Sequence, residues 1–417
     1  MKTCVPAILI LLLGLFSPGA GVTAQSTGTQ KFPGFLGTYH PFNGTAYGGD
    51  GWTEGATMQE AFDFGENAIL SAARYNGFTF AENVENNCHA WNVNKVYGIL
   101  TPPTEKGVVN QPSDTSLLMP FAPAGMIQGA HRFSELSKTC PQLAGMMIDD
   151  FYNDYPKLVT AKDLRDIRAA LAGKTVGADG VVDHSSRATT PALKLFIVTY
   201  EHQIDRVDPE VLANVDGVNF WIWKQNENYA NYAEYIDRLR KNYPGKEIVS
   251  GVYIFNSGQT PTAASIHSMI ETATGLYSKG KINGLLFFSA IWLSREKITR
   301  ERWNDLALPK LLDRVYYSHL GGASVKVVDA QTKLPVKGAV VTASRNAGGQ
   351  NLLVARKLTN DKGEFTFGGW AAPGSSKYSI EVSKDGSSAV AALTLKAGKQ
   401  IKPKPIRLPV NTRPLVK

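Results

Sequence analysis

The sequence predicts an α/β protein, a (β/α)8 TIM barrel followed by a small all-β sandwich. Apolar strand-like runs alternate with helical patterns eight times over roughly 280 residues, which is about the size of such a barrel. From Ala323 the apolar residues recur with a period of two, as in an all-β module. The buried-type run 143–148 stops at two adjacent carboxylates, Asp149 and Asp150, and parallel barrels carry their catalytic groups at such strand ends.

Composition and the amino-terminal segment indicate a globular, exported protein. The chain has 417 residues, of which 43% are hydrophobic and 19% charged, enough for two domains. Residues 1–24 combine Lys2, a short apolar run and small residues before Gln25, which is typical of a secretory signal peptide. No segment is apolar for long enough to span a bilayer. We therefore expect a secreted or periplasmic protein without a membrane span.

The distribution of charge limits the kinds of partner that we expect. The formal net charge is +8, but the basic residues are scattered rather than arranged in a stripe, so nucleic acid is not an expected partner. Nothing in the sequence indicates an oligomer, and we expect a monomer.

Cys88 and Cys140 follow the signal peptide at a spacing that matches no zinc motif. They could form a disulfide in an oxidising compartment, a pairing that the sequence leaves open.

The barrel strands and helices are delimited by turn and capping signals. Asn76-Gly77 and Pro244-Gly245 each end a helical pattern, and Asp208 before Pro209 is a helix start. The predicted strands are 35–40, 78–81, 96–100, 143–148, 195–200, 217–223, 248–255 and 282–291, and the predicted helices are 57–75, 124–138, 161–171, one from 208, 229–243, 265–277 and 294–312. We expect a barrel domain over residues 31–317 that folds by itself.

The candidate site residues follow these strands. Because the carboxyl ends of parallel strands meet on one face, we expect their polar and aromatic side chains to converge there. Carboxylates supply acid, base or nucleophile, and flat rings suit the apolar faces of sugars. The candidate catalytic residues are Asp149, Asp150 and Glu201, and the candidate substrate-binding residues are His40, Glu82, His202, Trp221, Trp223, Tyr253 and Trp292. Neither a cofactor nor a metal ion is predicted.

Each candidate also has a structural interpretation. An aspartate after a strand can cap the next helix, and most aromatic residues pack in cores. Neighbouring residues of a strand point in opposite directions, so the sequence does not say which of Asp149 and Asp150 faces the barrel interior. Whether hydrolysis would retain or invert configuration depends on the separation of two carboxyl groups, which is likewise open.

Three short segments carry a resemblance to a known kind of protein. The segments 148–151 (IDDF), 199–202 (TYEH) and 220–223 (FWIW) resemble an uncharacterised group of secreted bacterial barrels of the glycoside-hydrolase type, over roughly residues 32–312. This resemblance implies a glycoside hydrolase that acts on a poly- or oligosaccharide. Many such barrels carry their nucleophile on strand seven, where this chain has no acid. A second carboxylate would come from Glu201 or Glu82, or the substrate would assist its own cleavage.

Two other functions fit the same residues. A barrel that binds carbohydrate without cleaving it would explain the missing acid on strand seven. A metal-assisted hydrolase, such as an esterase or deacetylase, could place a cation among His40, Asp149, Asp150 and His202. The C-terminal segment 323–408 resembles the carboxypeptidase regulatory-like, transthyretin-type sandwich in its segments 334–341 and 359–365. That second resemblance implies an accessory module.

Overall fold

The computed structural model describes residues 36–39, 67–71, 95–100, 122–253, 261–288, 307–371 and 375–409. These residues form a curled parallel sheet with helices around it, followed by β-sheets in the C-terminal region. The α/β class and the β-sheets of the C-terminal region are thus confirmed. No helix of the described residues is long and apolar enough to cross a membrane.

The parallel strands pair in the order of the chain. Each strand pairs with the next one, and β8 returns to β1, so that the sheet closes as a barrel. Sequential parallel pairing is what short βαβ connections produce. The strands are β1 Leu36–Tyr39, β2 Asn67–Ser71, β3 Val96–Leu100, β4 Leu143–Ile148, β5 Lys194–Tyr200, β6 Gly217–Trp221, β7 Glu247–Tyr253 and β8 Gly284–Phe288.

Helices follow the strands from β3 onward. The helices are α1 Pro123–Leu136, α2 Phe151–Asp154, α3 Ala161–Leu171, α4 Pro209–Asn214, α5 Gln225–Asn228, α6 Tyr232–Asn242, α7 Ala263–Ser278 and α8 Leu308–Val315. Their ends follow the capping signals of the sequence. Asp208 accepts a hydrogen bond from the backbone of Glu210 at 2.8 Å, and Pro209 occupies the first turn of α4. Thr160 and Asp163 form a reciprocal capping box at α3.

The second strand was predicted wrongly. The structure places β2 at Asn67–Ser71, inside the segment 57–75 that the sequence pattern predicted as a helix. A short apolar run cannot be assigned to helix or strand from periodicity alone. Parallel pairing with β1 on one side and β3 on the other makes this segment a strand. The predicted strand 78–81 lies outside the described residues, and β6 ends at Trp221 rather than at residue 223.

Side chains of the barrel strands alternate between two cores. Those facing outward pack against the helices, and those facing inward form a separate cluster that includes Tyr97, Met147, Phe196, Trp221 and Tyr253. A Cβ atom on Gly251 would lie 2.1 Å from the Trp221 ring, so only glycine leaves room for that indole. The barrel is therefore filled at the level of Trp221, and a ligand would meet it above this level.

The C-terminal region contains two sheets around a core of their own. One is antiparallel in the order β11-β10-β13-β14, and in the other β12 pairs antiparallel while β15 and β16 pair parallel to β9. The hydrophobic cluster of this region is separate from those of the barrel. The strands are β9 Leu320–Asp329, β10 Val340–Ala347, β11 Gln350–Leu358, β12 Glu364–Trp370, β13 Ser375–Lys384, β14 Ser387–Lys396, β15 Gln400–Ile401 and β16 Ile406–Leu408.

Buried contacts join the C-terminal sheets to the barrel. Trp370 is 4% exposed and belongs to the helix-side core of the barrel. Its ring centroid lies 6.0 Å from that of Tyr277 and 4.9 Å from that of His319. Arg345 donates to the carbonyl of Tyr277 at 3.1 Å, and Lys95 donates to the carbonyl of Leu353 at 3.1 Å. Since Lys95 precedes β3 and Tyr277 precedes β8, the sheets cover the amino ends of the barrel strands, opposite Asp149 and Asp150.

Cys140 is buried and disulfide-bonded. Its partner lies outside the described residues, so that pairing with Cys88 stays a prediction. A bridge that closes a loop of this kind typically stabilises a protein by about 2–4 kcal/mol.

A buried lysine in the C-terminal sheets should make stability depend on pH. Lys357 is buried and donates to the carbonyl of Thr366 at 3.0 Å, and burial lowers its pKa to about 7. In the unfolded chain its pKa is about 10.4. Between these values the unfolded chain binds more protons, so this lysine makes the free energy of unfolding rise with pH. Lys357→Met should therefore stabilise most near pH 6, and the gain should shrink toward pH 10.

Thermal unfolding of both proteins between pH 6 and pH 10 measures this difference. Lys362→Met, at an exposed position nearby, is the matched control and should leave the pH dependence unchanged. A gain in stability that is the same at every pH would show that the Lys357 amine is not desolvated.

Candidate functional site

The acid pair lies at the end of β4 and faces the mouth of the barrel. Asp149 has the strand parity of Met147, a residue of the inner cluster, so its side chain starts on the interior side. Asp150 adopts a φ of 42°, a left-handed conformation that aspartate tolerates better than most residues. Its backbone N–H donates to Oδ1 of Asp149 at 3.0 Å. The turn at Asp150 thus holds the carboxyl group of Asp149 against the backbone of Asp150.

Helix capping does not account for Asp150. This residue immediately precedes α2, but its side chain makes no capping hydrogen bond to that helix. Instead, Oδ1 of Asp150 accepts a hydrogen bond of 2.5 Å from the hydroxyl of Tyr200 at the end of β5. The Asp150 carboxylate therefore turns across the barrel mouth.

A second tyrosine extends this hydrogen bond across the rim. Tyr253, at the end of β7, is hydrogen-bonded to Tyr200. A phenol hydroxyl has one hydrogen to donate, and Tyr200 donates its own to Asp150. The hydroxyl of Tyr253 therefore donates to the oxygen of Tyr200. The chain from Tyr253 through Tyr200 to Asp150 connects the ends of three strands.

Burial and nearby charge keep both phenols protonated. Burial raises the pKa of Tyr200, and Tyr253, Asp150 and Asp149 raise it further. Burial also raises the pKa of Tyr253, opposed by its hydrogen bond with Tyr200 and assisted by the charges of Asp149 and Asp150. Both carboxylates are thus close enough to act on both phenols. Both tyrosines therefore stay protonated at any ordinary pH, and Tyr200 remains a hydrogen-bond donor to Asp150.

An aromatic surface adjoins the acids. Trp223 is 47% exposed, and its ring meets those of Tyr200 and Tyr253 edge to face, with centroids 5.8 and 6.1 Å apart. His202 stacks on Tyr200 with centroids 5.8 Å apart and 10° between the planes, and its side chain is largely exposed. Exposed rings beside carboxylates can hold the apolar face of a sugar while its polar groups reach the acids.

Trp221 lies one layer below this surface. It is 2% exposed and presents almost none of its ring to solvent. Its indole N–H donates to Oδ1 of Asn219 at 2.7 Å, and its ring centroid lies 4.9 Å from that of Tyr253. These contacts support Tyr253 from beneath. A direct contact with substrate, as expected from the sequence, stays a prediction.

The carboxylate of Glu201 is enclosed by donors from the segment that follows β6. Its Oε2 accepts from the backbone of Trp223 at 2.8 Å, and its Oε1 accepts from the backbone of Lys224 at 3.1 Å and from the amide of Asn228 at 3.2 Å. The ring of His202 lies beside it, with Nδ1 3.9 Å from Oε2. These hydrogen bonds tie the side chain of Glu201 to the backbone that carries Trp223.

Two tyrosines were missed by the sequence analysis. Tyr200 has the strand parity of Phe196 and Val198, which face the barrel interior, so parity could have identified it. Tyr229 accepts from the backbone N–H of Tyr253 at 3.1 Å and donates to its carbonyl at 3.2 Å. No local pattern signals this contact, because Tyr229 reaches β7 from the loop after β6.

The remaining candidates are not placed by the structure. His40, Glu82 and Trp292 lie outside the described residues. Within the described ranges, no group of three or more histidine, cysteine, aspartate or glutamate residues could hold a metal ion. The described residues thus bring together an acid pair, two phenols and an aromatic surface.

No family model and no curated protein matches this chain. Among solved structures, an intradiol ring-cleavage dioxygenase from Tetranychus urticae is 19% identical over 18% of this chain and 50% of its own, with a TM-score of 0.16. A calcium-binding mutant of Bacteroides uniformis beta-glucuronidase 2 is 9% identical over 89% of this chain and 46% of its own, with a TM-score of 0.39. A glucosidase from Croceicoccus marinus is 11% identical over 82% of this chain and 94% of its own, with a TM-score of 0.39.

The chain thus spans about half the length of the first two of these structures. Scores this low assign neither a family nor an activity. The function has to follow from the site.

Proposed function

We propose that this protein is a glycoside hydrolase that cleaves a poly- or oligosaccharide at the mouth of its barrel. One observation carries the proposal: the adjacent carboxylates Asp149 and Asp150 lie near the phenols of Tyr200 and Tyr253, with Asp150 hydrogen-bonded to Tyr200, beside the exposed ring of Trp223. Adjacent carboxyls can transfer protons to and from a glycosidic bond. The exposed ring offers a surface against which the sugar can be oriented.

The contacts support distinct roles for the three carboxylates. Asp150 accepts a hydrogen bond from the hydroxyl of Tyr200, and in this proposal Asp149 serves as the general acid. Glu201 acts as a positioning residue, because its oxygens hold the backbone that carries Trp223. In this proposal Glu201 is therefore not a catalytic partner of the two aspartates, the role that the sequence analysis predicted for it.

The proposal extends to the whole chain. Residues 1–24 would direct secretion, and the described strands and helices would belong to a complete (β/α)8 barrel. The C-terminal sheets would be a carboxypeptidase regulatory-like sandwich that stabilises the barrel from its amino-terminal side, as the burial of Trp370 and Arg345 supports. A monomer with a carbohydrate substrate and without nucleic acid as a partner is expected.

A survey of glycoside substrates tests the activity. Purified protein should release reducing sugar or aryl alcohol from at least one member of a panel of aryl glycosides and polysaccharides, and added EDTA should leave that rate unchanged. Loss of the rate with EDTA and its return with a divalent cation would favour the metal-assisted hydrolase. Saturable binding of an oligosaccharide without any turnover would favour the carbohydrate-binding barrel.

Trp223 should contribute to binding more than to folding. Trp223→Ala should raise KM several-fold, because an aromatic contact contributes about 1 kcal/mol. Its effect on the free energy of unfolding should be small, since nearly half of the ring is in solvent. Steady-state kinetics and denaturation measure the two effects, and Trp223→Phe should recover most of the affinity. An unchanged KM in Trp223→Ala would remove the ring from the substrate site.

A further inference from the structure

The two aspartates can approach a bound sugar only from the same side. They are consecutive residues, and the backbone of Asp150 donates to the carboxylate of Asp149 at 3.0 Å. Both carboxylates also act on the same pair of phenols, Tyr200 and Tyr253. Carboxyl groups on consecutive residues that both act on these two phenols approach a ligand from one side of the barrel mouth.

Displacement at the anomeric carbon needs groups on opposite faces. The acid protonates the leaving oxygen, and the nucleophile or the activated water attacks from the other face of the ring. If Asp149 protonates the leaving oxygen, Asp150 lies on the leaving-group side and cannot perform the attack. The pair therefore lacks the nucleophile or base that the usual two-carboxylate arrangement places on the opposite face of the sugar.

The described residues nearest to the pair are poor substitutes. Both oxygens of Glu201 are already hydrogen-bonded to the loop that carries Trp223. At the end of β7, burial raises the pKa of the Tyr253 phenol, which keeps it a weak nucleophile. An attacking group that comes with the substrate would complete the chemistry with the residues present.

We infer, on the basis of the proposed function, that the substrate is a sugar with a 2-acetamido group trans to the scissile bond, and that this group is the nucleophile. The leaving oxygen on C1 and the amide nitrogen on C2 are neighbouring substituents of the ring. Two carboxyl groups on consecutive residues can reach both substituents. One protonates the leaving oxygen, and the other accepts a hydrogen bond from the amide N–H. For a glucose-type or galactose-type ring the trans relation means a β-linked 2-acetamido-2-deoxy sugar.

The reaction balances with water as the only other reactant. The acetamido oxygen forms a bond to C1 while the C1–O bond breaks, and Asp149 gives its proton to the leaving oxygen. Asp150 accepts the hydrogen bond, and then the proton, of the amide nitrogen, which yields a neutral bicyclic oxazoline. Water then attacks C1, ionised Asp149 takes a proton from it, and the nitrogen regains its proton from Asp150. The anomeric configuration is retained after two displacements.

Paired aryl glycosides test the substrate class. The value of kcat/KM for 4-nitrophenyl 2-acetamido-2-deoxy-β-glucoside should exceed that for 4-nitrophenyl β-glucoside by 10²-fold or more, since only the first substrate carries the nucleophile. Replacing the N-acetyl group by mono-, di- and trifluoroacetyl should lower kcat/KM stepwise, because fluorine withdraws electrons from the attacking oxygen. NMR of the first-formed product should show the β anomer.

The outcomes separate the inference from the proposed function. Equal rates on the two glucosides, insensitivity to fluorination, or an inverted product would overturn the inference and leave the glycosidase standing. A covalent adduct with a 2-deoxy-2-fluoroglycoside, seen by intact mass and mapped to Glu82 or another carboxylate, would overturn it in the same way. Absence of turnover on every glycoside would overturn the proposed function itself.

Discussion

Asp150→Asn should lower kcat/KM on a cleaved glycoside by about 10²- to 10⁴-fold, the range that general acid or base catalysis contributes. The substitution keeps the size of the side chain and leaves an acceptor for the Tyr200 hydroxyl, but it removes the negative charge. Because in the proposed reaction that charge acts on the sugar itself, the loss should appear with good and poor leaving groups alike. Steady-state kinetics on a series of aryl glycosides measures it.

Asp149→Asn should behave differently along the same series. A general acid matters most when the leaving group is a poor one, so this variant should lose about 10²- to 10⁴-fold on alkyl glycosides and much less on nitrophenyl glycosides. Asp237→Asn is the control, since Asp237 pairs with Lys281 at an exposed position on α6, where an ion pair contributes little. Full activity of both Asp149→Asn and Asp150→Asn would place catalysis elsewhere on the rim.

Trp370→Ala should destabilise the barrel although the residue belongs to the C-terminal sheets. The indole is buried among barrel residues and contacts Tyr277 and His319, and removal of a buried tryptophan costs about 3–5 kcal/mol. Equilibrium unfolding in guanidinium should show a lower midpoint for a single transition. Leu334→Ala is the control, because Leu334 is 65% exposed and its truncation should change the free energy of unfolding by less than about 0.5 kcal/mol.

The same contacts bear on the expectation that the barrel folds alone. A chain that ends at Tyr317 would lose Trp370 from the barrel core and would leave the carbonyl of Tyr277 without Arg345. We expect such a chain to be markedly less stable than the barrel within the full chain. Two separate transitions of the full chain, with the barrel transition unaffected by Trp370→Ala, would instead support independent domains.

The sequence by itself determined the alternation of elements and the acid pair at the end of β4. Uninterrupted apolar runs between capping and turn signals located β3 to β8 closely, because buried parallel strands leave that pattern whatever they pack against. The same reasoning failed at β2, whose five residues fit either periodicity. Its pairing with β1 and β3 is a non-local contact that local pattern does not encode.

Only the tertiary structure decided which partners the candidate site residues have. Glu201 follows its strand as closely as Asp149 follows β4, yet donors from the next loop enclose Glu201, while Asp150 receives the hydroxyl of Tyr200. Trp221 and Trp223 share strand parity, but one is buried and the other is exposed. The type and spacing of residues set what a side chain can do. Which partner reaches it depends on residues distant in the chain, and their hydrogen bonds and packing decide which carboxylate is enclosed and which ring is exposed.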